Sequence, residues 1–348
     1  MSFLREVGFQ GEALRDLVRF YSGQGRELLR EVEKLPSLRL RSLVFHGMGT
    51  SEAVPTLVRD YLGAKTAYPV VLWEAGELLH FGMDGVRDDD VVIGVSQSGE
   101  SIETRKIAEL LRYHRHVISV TNDAGSSMAR WSTLNLPMLA GEEASISNKT
   151  YTNSMAVLLL FSRALAGADW ESDLLPRFER LADEMDSFLA NRRHEIEAAA
   201  AFLGSATSIR FVARGPAMVA ARQAALTFQE GVHISTSALP GGSMRHGPFE
   251  AVGPGHHAVL LAPDGDGGDL VRKMAVEMAE LGSTVLLFTS AGVPESENLM
   301  PVRVPEGDPE LFPFACAVPQ ELLLERMAAD RGVVAGIFTR GNKITSVE

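Results

Sequence analysis

Short apolar runs alternate with longer amphipathic stretches along the chain. In the first half, the apolar runs that end in small or polar residues are 42–46, 70–73, 91–95 and 117–120. Residues 52–62 and 102–114, which lie between such runs, space their apolar positions as a helix does. A regular alternation of buried strands and helices is typical of a doubly wound parallel sheet. We therefore predict an α/β fold for this half.

The same order of elements returns in the second half. Its apolar runs are 208–213, 258–262, 284–288 and 302–304, and its helical stretches are 217–230 and 269–281. Helices are also predicted within 11–35 and across 153–202, with an interruption near 167–176. We predict two doubly wound, flavodoxin-like parallel-sheet domains in tandem. The predicted boundaries are 1–170 for the N-terminal helices and first domain, 171–335 for the second, and 336–348 for a C-terminal active-site tail.

Composition narrows the class of protein. A chain of 348 residues is long enough for two domains, and its net charge of −12 argues against a nucleic-acid partner. The one cysteine, Cys316, can form no internal disulfide, and no apolar stretch approaches the roughly 20 residues of a membrane span. We expect a cytoplasmic protein that does not bind membranes. Its His, Cys and acidic residues lack metal-ligand spacing, so we expect neither a metal nor another cofactor.

Two loops rich in glycine and hydroxyl groups follow predicted strands. They read His46-Gly47-Met48-Gly49-Thr50-Ser51 and Ser96-Gln97-Ser98-Gly99-Glu100-Ser101. In an open α/β sheet, ligands bind beyond the carboxyl ends of the strands, where glycines and helix N-termini let backbone N–H groups reach a phosphate. The same residue types also serve as simple N-caps and turns. Two such loops in one sheet favour the phosphate site.

These loops, followed by the stretch 140–149, resemble in order the sugar-phosphate loops of the double sugar-isomerase (SIS) family, in particular the isomerase half of glucosamine-6-phosphate synthase. The resemblance covers nearly the whole chain and implies two SIS domains. It also implies that the substrate phosphate is bound by Thr50, Ser51, Ser96, Gln97, Ser98, Ser101 and Ser147.

The second half carries residues that resemble the catalytic helix and the His-Gly-Pro loop of the same family. Glu230 ends the stretch 223–230, and His246 lies 16 positions later (246 minus 230) in the loop 241–248. A carboxylate can move a proton between C1 and C2 of an open-chain sugar, and an imidazole can open the sugar ring. The resemblance assigns these two roles to Glu230 and His246. Taken alone, each residue would more often be a surface charge or a structural histidine.

Lys343 falls where the family keeps a lysine that forms a Schiff base with the open-chain ketose. A terminal lysine is ordinarily a solvated charge, but an amine can act as a nucleophile when its surroundings favour the neutral form. The resemblance at this end of the chain is carried by Asn342, Ser346, Val347 and Glu348. We therefore predict Glu230, His246 and Lys343 as the catalytic residues.

Two departures from the family bear on the reaction. Gln223 and Thr227 stand where the catalytic helix usually has a second glutamate and a lysine, which leaves the substrate and the direction of reaction open. The chain also begins at the isomerase half, so we expect no cysteine nucleophile for glutamine hydrolysis.

Three hypotheses follow. The first is an enzyme that interconverts an amino-aldose 6-phosphate and a ketose 6-phosphate with free ammonia, similar to a glucosamine-6-phosphate deaminase or isomerase. The second is a deglycase that splits a ketose 6-phosphate from an amino acid, and the third is a sugar-phosphate sensor without catalysis. The resemblance further implies a homodimer in which His246 serves the active site of the other copy.

Overall fold

A computed structural model describes residues 2–340 and Lys343 of the chain. These residues form two compact units. The N-terminal unit comprises Phe9–Ala182 and the described residues from Phe338 onwards. The C-terminal unit comprises the described residues up to Gly8 together with Asp183–Ile337. The division falls within a single long helix, after Ala182 rather than near the predicted residue 170. The break in the helical pattern near 167–176 is the short connection before that helix, which begins at Glu171.

Each unit is built on a five-stranded sheet. The strands are β1 (Leu43–Gly47), β2 (Val70–Glu74), β3 (Val91–Ser96), β4 (Val117–Thr121), β5 (Leu134–Pro137), β6 (Ser208–Ala213), β7 (Ser235–Pro240), β8 (His257–Ala262), β9 (Thr284–Thr289) and β10 (Leu299–Arg303).

The α-helices are α1 (Phe3–Val7), α2 (Gln10–Ser22), α3 (Arg26–Lys34), α4 (Thr50–Ala53), α5 (Thr56–Lys65), α6 (Ala75–Glu77), α7 (Ile102–Leu110), α8 (Ser127–Trp131), α9 (Lys149–Leu165), α10 (Glu171–Asn191), α11 (Arg193–Leu203), α12 (Met218–Gly231), α13 (Gly241–Arg245), α14 (Asp266–Glu280) and α15 (Phe312–Asp330).

The two sheets share one topology. All their strand pairs are parallel, in the order β2-β1-β3-β4-β5 for the N-terminal unit and β7-β6-β8-β9-β10 for the C-terminal unit. Each sheet therefore has the strand order 2-1-3-4-5 of flavodoxin-like folds, in which the crevice lies beside the first strand, where the strand order reverses. The predicted fold class, two doubly wound parallel sheets in tandem, is confirmed.

Burial explains why the central strands and one helix are so apolar. β1 and β3 are buried at every position, as expected for parallel strands covered on both faces. α9 is buried along its whole length, which accounts for the continuous apolar run at residues 155–161 in its middle. Cys316 is fully buried in α15, where burial raises the pKa of its thiol well above its usual value.

Two strands were not predicted from the sequence. β5 has four residues and ends in a proline, and β7 has the sequence Ser-Thr-Ser-Ala-Leu-Pro and is only partly buried. Both are edge strands, with one neighbouring strand each. An edge strand needs little apolar surface and tolerates proline, so hydrophobic periodicity gives it little signal.

Candidate functional site

The first predicted loop lies at the carboxyl end of β1 in the N-terminal unit. A Cβ on Gly47 would lie 2.5 Å from the carbonyl oxygen of Ser51, so only glycine allows this close turn. Gly49 has a φ of 56° and is the N-cap of α4, whose first two residues are Thr50 and Ser51. Both of those residues are partly exposed. The loop thus presents two hydroxyl groups at the edge of the sheet.

The second predicted loop follows β3, which pairs directly with β1. The backbone N–H groups of Gly99 and Glu100 donate to the hydroxyl oxygens of Ser96 and Ser98, both at 3.1 Å. The two hydroxyls act as acceptors in these bonds, so their own protons are left for another acceptor. Ser101 occupies the N-cap of α7, but its side chain makes no capping hydrogen bond. A role as a simple helix cap therefore does not account for Ser101.

Asn122, which follows β4, connects three loops at this edge. Its backbone N–H donates to the carbonyl of Gln97 at 3.1 Å. Its side-chain amide donates to the carbonyl of Gly141 at 2.7 Å and accepts from the N–H of Ala140 at 2.8 Å. No sequence motif pointed to Asn122, because its partners come from distant parts of the chain.

The loop after β5 contains a buried carboxylate, that of Glu143. One oxygen accepts from the backbone N–H groups of Asn148 and Thr150, both at 3.0 Å. The other accepts from the Thr150 hydroxyl at 2.7 Å and from the Lys343 ammonium at 2.8 Å. Lys343 also donates to the carbonyl of Ser145 at 2.6 Å. The predicted catalytic amine is therefore held at the same edge of the sheet as the predicted phosphate loops.

Ser147 is in a different state from the other predicted phosphate ligands. Its hydroxyl lies 2.9 Å from that of Thr150. Because Thr150 gives its proton to Glu143, Ser147 must be the donor in this pair. Ser147 would have to leave Thr150 before it could donate to a phosphate, and its assignment stays a prediction.

His46 lies in β1, at the start of the first predicted loop, and is 2% exposed. Its Nδ1 has no hydrogen-bond partner among the described residues. Gly94 of β3 makes room for the ring, since a Cβ there would lie 2.8 Å from the His46 Nε2 atom. Burial lowers the pKa of His46 to about 4. The imidazole is therefore neutral at pH 7.

We expect the N-terminal unit to lose stability between pH 7 and pH 5 because of His46. Its pKa is about 4 in the folded state against an ordinary value of 6.5, so the unfolded chain takes up the proton first as the pH falls. The loss should be about 2 kcal/mol more than in His46→Leu, which cannot titrate. All three tryptophans lie within Phe9–Ala182, so their fluorescence during urea unfolding reports this unit. Equal pH dependence in the two proteins would contradict the assignment.

The C-terminal unit carries the other two predicted catalytic residues. Glu230 is the penultimate residue of α12 and is partly exposed. Gln223 and Thr227 precede it by seven and three positions and are both buried. The Thr227 hydroxyl donates to the carbonyl of Gln223 at 3.0 Å, so its proton is not available to a substrate. The two departures from the family pattern thus place no positive charge on this helix face.

His246 is exposed in the loop after α13. Contacts made by its own backbone and by Arg245 fix this loop. Its backbone N–H donates to the carbonyl of Ser243 at 3.1 Å. Arg245 forms a bidentate ion pair with Glu277 of α14 and stacks over the ring of Phe249, with 4.5 Å from its guanidinium carbon to the ring centroid. The hydrogen bond from Arg245 lowers the pKa of the Glu277 carboxyl. The loop is therefore fixed while the imidazole points outwards.

Neither a metal-binding cluster nor a membrane-spanning helix is present in the part of the chain that the structure describes. Residues 2–340 and Lys343 include no group of three or more His, Cys, Asp or Glu side chains that could hold a metal ion. Within the same residues, no helix combines the length and the apolar character needed to cross a membrane. Asn342, Ser346, Val347 and Glu348, which carry the resemblance at the end of the chain, lie outside the described residues.

The comparisons with known proteins agree with this fold. Residues 39–164 match the family model described as the SIS domain. The chain is 28% identical over 341 residues to the isomerizing glutamine–fructose-6-phosphate aminotransferase of Thermococcus kodakarensis. The aligned region covers 94% of this chain and 55% of that protein. The chain thus spans about half the length of the curated relatives it matches. It contains an SIS domain and is homologous to part of these aminotransferases.

Solved structures show the same architecture over the whole chain. The C-terminal domain of glucosamine-fructose-6-phosphate aminotransferase from Francisella tularensis has a TM-score of 0.86 at 20% identity, over 96% of this chain and 97% of that one. Glucosamine-6-phosphate deaminase from Thermotoga maritima has a TM-score of 0.77 at 21% identity, over 99% of both chains. The resemblance predicted from the loops is confirmed for the fold and for the SIS domain at 39–164. The assignment of a second SIS domain stays a prediction.

Proposed function

We propose that the protein interconverts a ketose 6-phosphate and an amino-aldose 6-phosphate, with free ammonia as the nitrogen compound consumed or released. The observation that carries the proposal is the position of Lys343. Its amine is hydrogen-bonded to the loop after β5. The hydroxyl loops that follow β1 and β3 start from the same edge of the sheet. A primary amine beside a phosphate site suits a substrate that has both a phosphate and a carbonyl group.

The hydroxyl loops suit a phosphate without the help of lysine. Ser96 and Ser98 retain their protons for an acceptor, and Ser101 is not engaged in capping. Short hydrogen bonds from hydroxyls and helix N-termini stabilise a phosphate even in a chain of net charge −12. We assign the phosphate of the substrate to these loops.

The reaction needs three steps that match the three predicted catalytic residues. His246 opens the sugar ring by moving a proton between the ring oxygen and the anomeric hydroxyl. The Lys343 ammonium first loses a proton to water, and the neutral amine then adds to the ketose carbonyl. The resulting hydroxyl takes a proton and leaves as water, so that an iminium remains. Ammonia displaces the lysine, and Glu230 moves a proton between C1 and C2 to give the amino-aldose. The reverse sequence releases ammonia.

The names of the relatives point to a sugar-phosphate substrate, but they differ in the direction of the reaction. Glutamine is the nitrogen source named for the aminotransferases, but this chain spans only about half of those proteins. The Thermotoga maritima protein with the same fold over 99% of both chains is named for deamination of glucosamine 6-phosphate. We therefore propose ammonia, with deamination as the direction to measure first.

The test is a panel of 6-phosphosugars with the purified protein. We expect ammonia to be released from glucosamine 6-phosphate, and the same sugar to form from fructose 6-phosphate and ammonium. Unphosphorylated glucosamine and fructose are the matched controls and should not react. Release of an amino acid from a ketose 6-phosphate adduct would instead identify a deglycase. Tight binding of a 6-phosphosugar without turnover of any substrate would identify a sensor.

A further inference from the structure

The Glu143 carboxylate has all its acceptor positions filled. Its two oxygens receive hydrogen bonds from two backbone N–H groups, one hydroxyl and one ammonium. A carboxylate offers about four lone-pair positions, so four donors leave no place for a proton on either oxygen. Glu143 is therefore a charged acceptor. Three of its donors are local, at Asn148 and Thr150, whereas Lys343 is 200 positions away in sequence.

We propose that Glu143 docks Lys343 onto the carboxyl edge of the N-terminal sheet, and thereby positions the Lys343 amine. The docking stands on the contacts alone, and its consequence for Schiff-base formation rests on the proposed function. Glu143 is a positioning residue in this scheme, since it contacts the reacting amine and not the sugar.

Glu143 is well suited to be a fixed anchor. Its local hydrogen bonds satisfy N–H groups at the start of α9, which have no partner within a helix. Because α9 is buried along its whole length, the carboxylate cannot shift without disturbing a core helix. Its side chain has no exposed surface, and an ion pair shielded from water is weakened little by salt.

Lys343 is held in place yet remains open to solvent. Two acceptors, the Glu143 carboxylate and the Ser145 carbonyl, fix the position of its nitrogen at 2.8 and 2.6 Å. An ammonium has three N–H donors, so one of them is not used by these bonds. The side chain is 19% exposed, which lets a small molecule approach it. The amine is thus oriented before a substrate arrives.

The decisive variant is Glu143→Gln. The amide oxygen of glutamine can still accept the N–H groups of Asn148 and Thr150, so the start of α9 keeps its cap, while the charge that holds Lys343 is lost. We expect hydrogen exchange in the peptide from Phe338 onwards to become about tenfold faster. Trapping of fructose 6-phosphate on the protein by borohydride should fall about tenfold as well, with unchanged affinity for inorganic phosphate.

Glu142→Gln is the matched control, because it makes the same chemical change one position earlier, at an exposed side chain. It should leave both measurements at the wild-type level. Lys343→Met removes the contact from the other side without touching α9, and should speed up exchange as Glu143→Gln does. Slow exchange in both Glu143→Gln and Lys343→Met would overturn the docking proposal.

Lys343→Arg separates docking from chemistry. Arginine keeps the positive charge and can pair with Glu143, but its guanidinium does not form a Schiff base. We expect slow hydrogen exchange as in the wild type, together with no borohydride trapping. Full turnover in Lys343→Arg would remove the lysine from the proposed function and leave the docking by Glu143 intact.

Discussion

Glu230→Gln should lower the turnover of a 6-phosphosugar by about 10²–10⁴-fold, the range expected when a general base is removed. Glutamine has nearly the same shape but cannot accept the proton that moves between C1 and C2. The affinity for the substrate should stay within a few-fold, because the base acts on the carbon skeleton and the phosphate is assigned to the loops 46–51 and 96–101. Single-turnover kinetics would measure the chemical step, and calorimetry with a 6-phosphosugar would measure binding.

Glu280→Gln provides the control for this experiment. Glu280 is the last residue of α14, an amphipathic helix of the same unit, and its side chain is exposed. Its substitution removes a negative charge from a comparable helix end and should leave turnover unchanged. If Glu230→Gln retained a rate close to that of Glu280→Gln, the proton transfer would have to be assigned to another residue.

The sequence was sufficient to predict the turns of the two hydroxyl-rich loops because their features are local. A turn such as 96–101 needs glycine at a positive φ and hydroxyls within a few residues, and both are visible in the letters. Gly99 has a φ of 63°, and a Cβ there would lie 2.2 Å from the Ser126 hydroxyl. Such a position excludes every residue with a side chain. Most of the strands that were predicted likewise contain runs of three or more consecutive apolar residues.

The role of Glu143 could not be predicted, because it depends on burial and on a distant partner. Glu142 and Glu143 are adjacent and chemically identical, and nothing in their neighbourhood distinguishes them. The fold buries one and exposes the other, and it brings Lys343 to the buried one. A contact across 200 positions leaves no periodic or spacing signal in a single sequence.

The strand that periodicity missed, β7, decides how Glu230 and His246 are arranged within the C-terminal unit. α12 packs on β7, and Glu230 lies near its end, just before the chain enters the strand at Ser235. β7 then runs to Pro240, where α13 and His246 follow. The two residues are therefore near opposite ends of a six-residue strand, which spans roughly 17 Å.

That separation bears on how the two residues could share one substrate. A general base and a general acid must each come within about 3 Å of the groups they act on, and an open hexose is shorter than the strand. The Glu230 and His246 of one C-terminal unit are therefore poorly placed to act on the same sugar. His246 is exposed on a fixed loop, as a residue that serves another copy of the chain would be. We propose that the active form is a homodimer in which His246 acts in the site of the other copy.

Mixing His246→Ala with Glu230→Gln should therefore restore activity that neither variant has alone. Random exchange of subunits makes half of the dimers mixed, and each mixed dimer has one of its two sites intact. We expect roughly a quarter of wild-type activity, measured after subunit exchange has been verified by mass spectrometry of the intact dimers. A mixture of His246→Ala with the double variant His246→Ala/Glu230→Gln should stay at background. Background activity in the first mixture, once mixed dimers are present, would show that each chain uses its own His246.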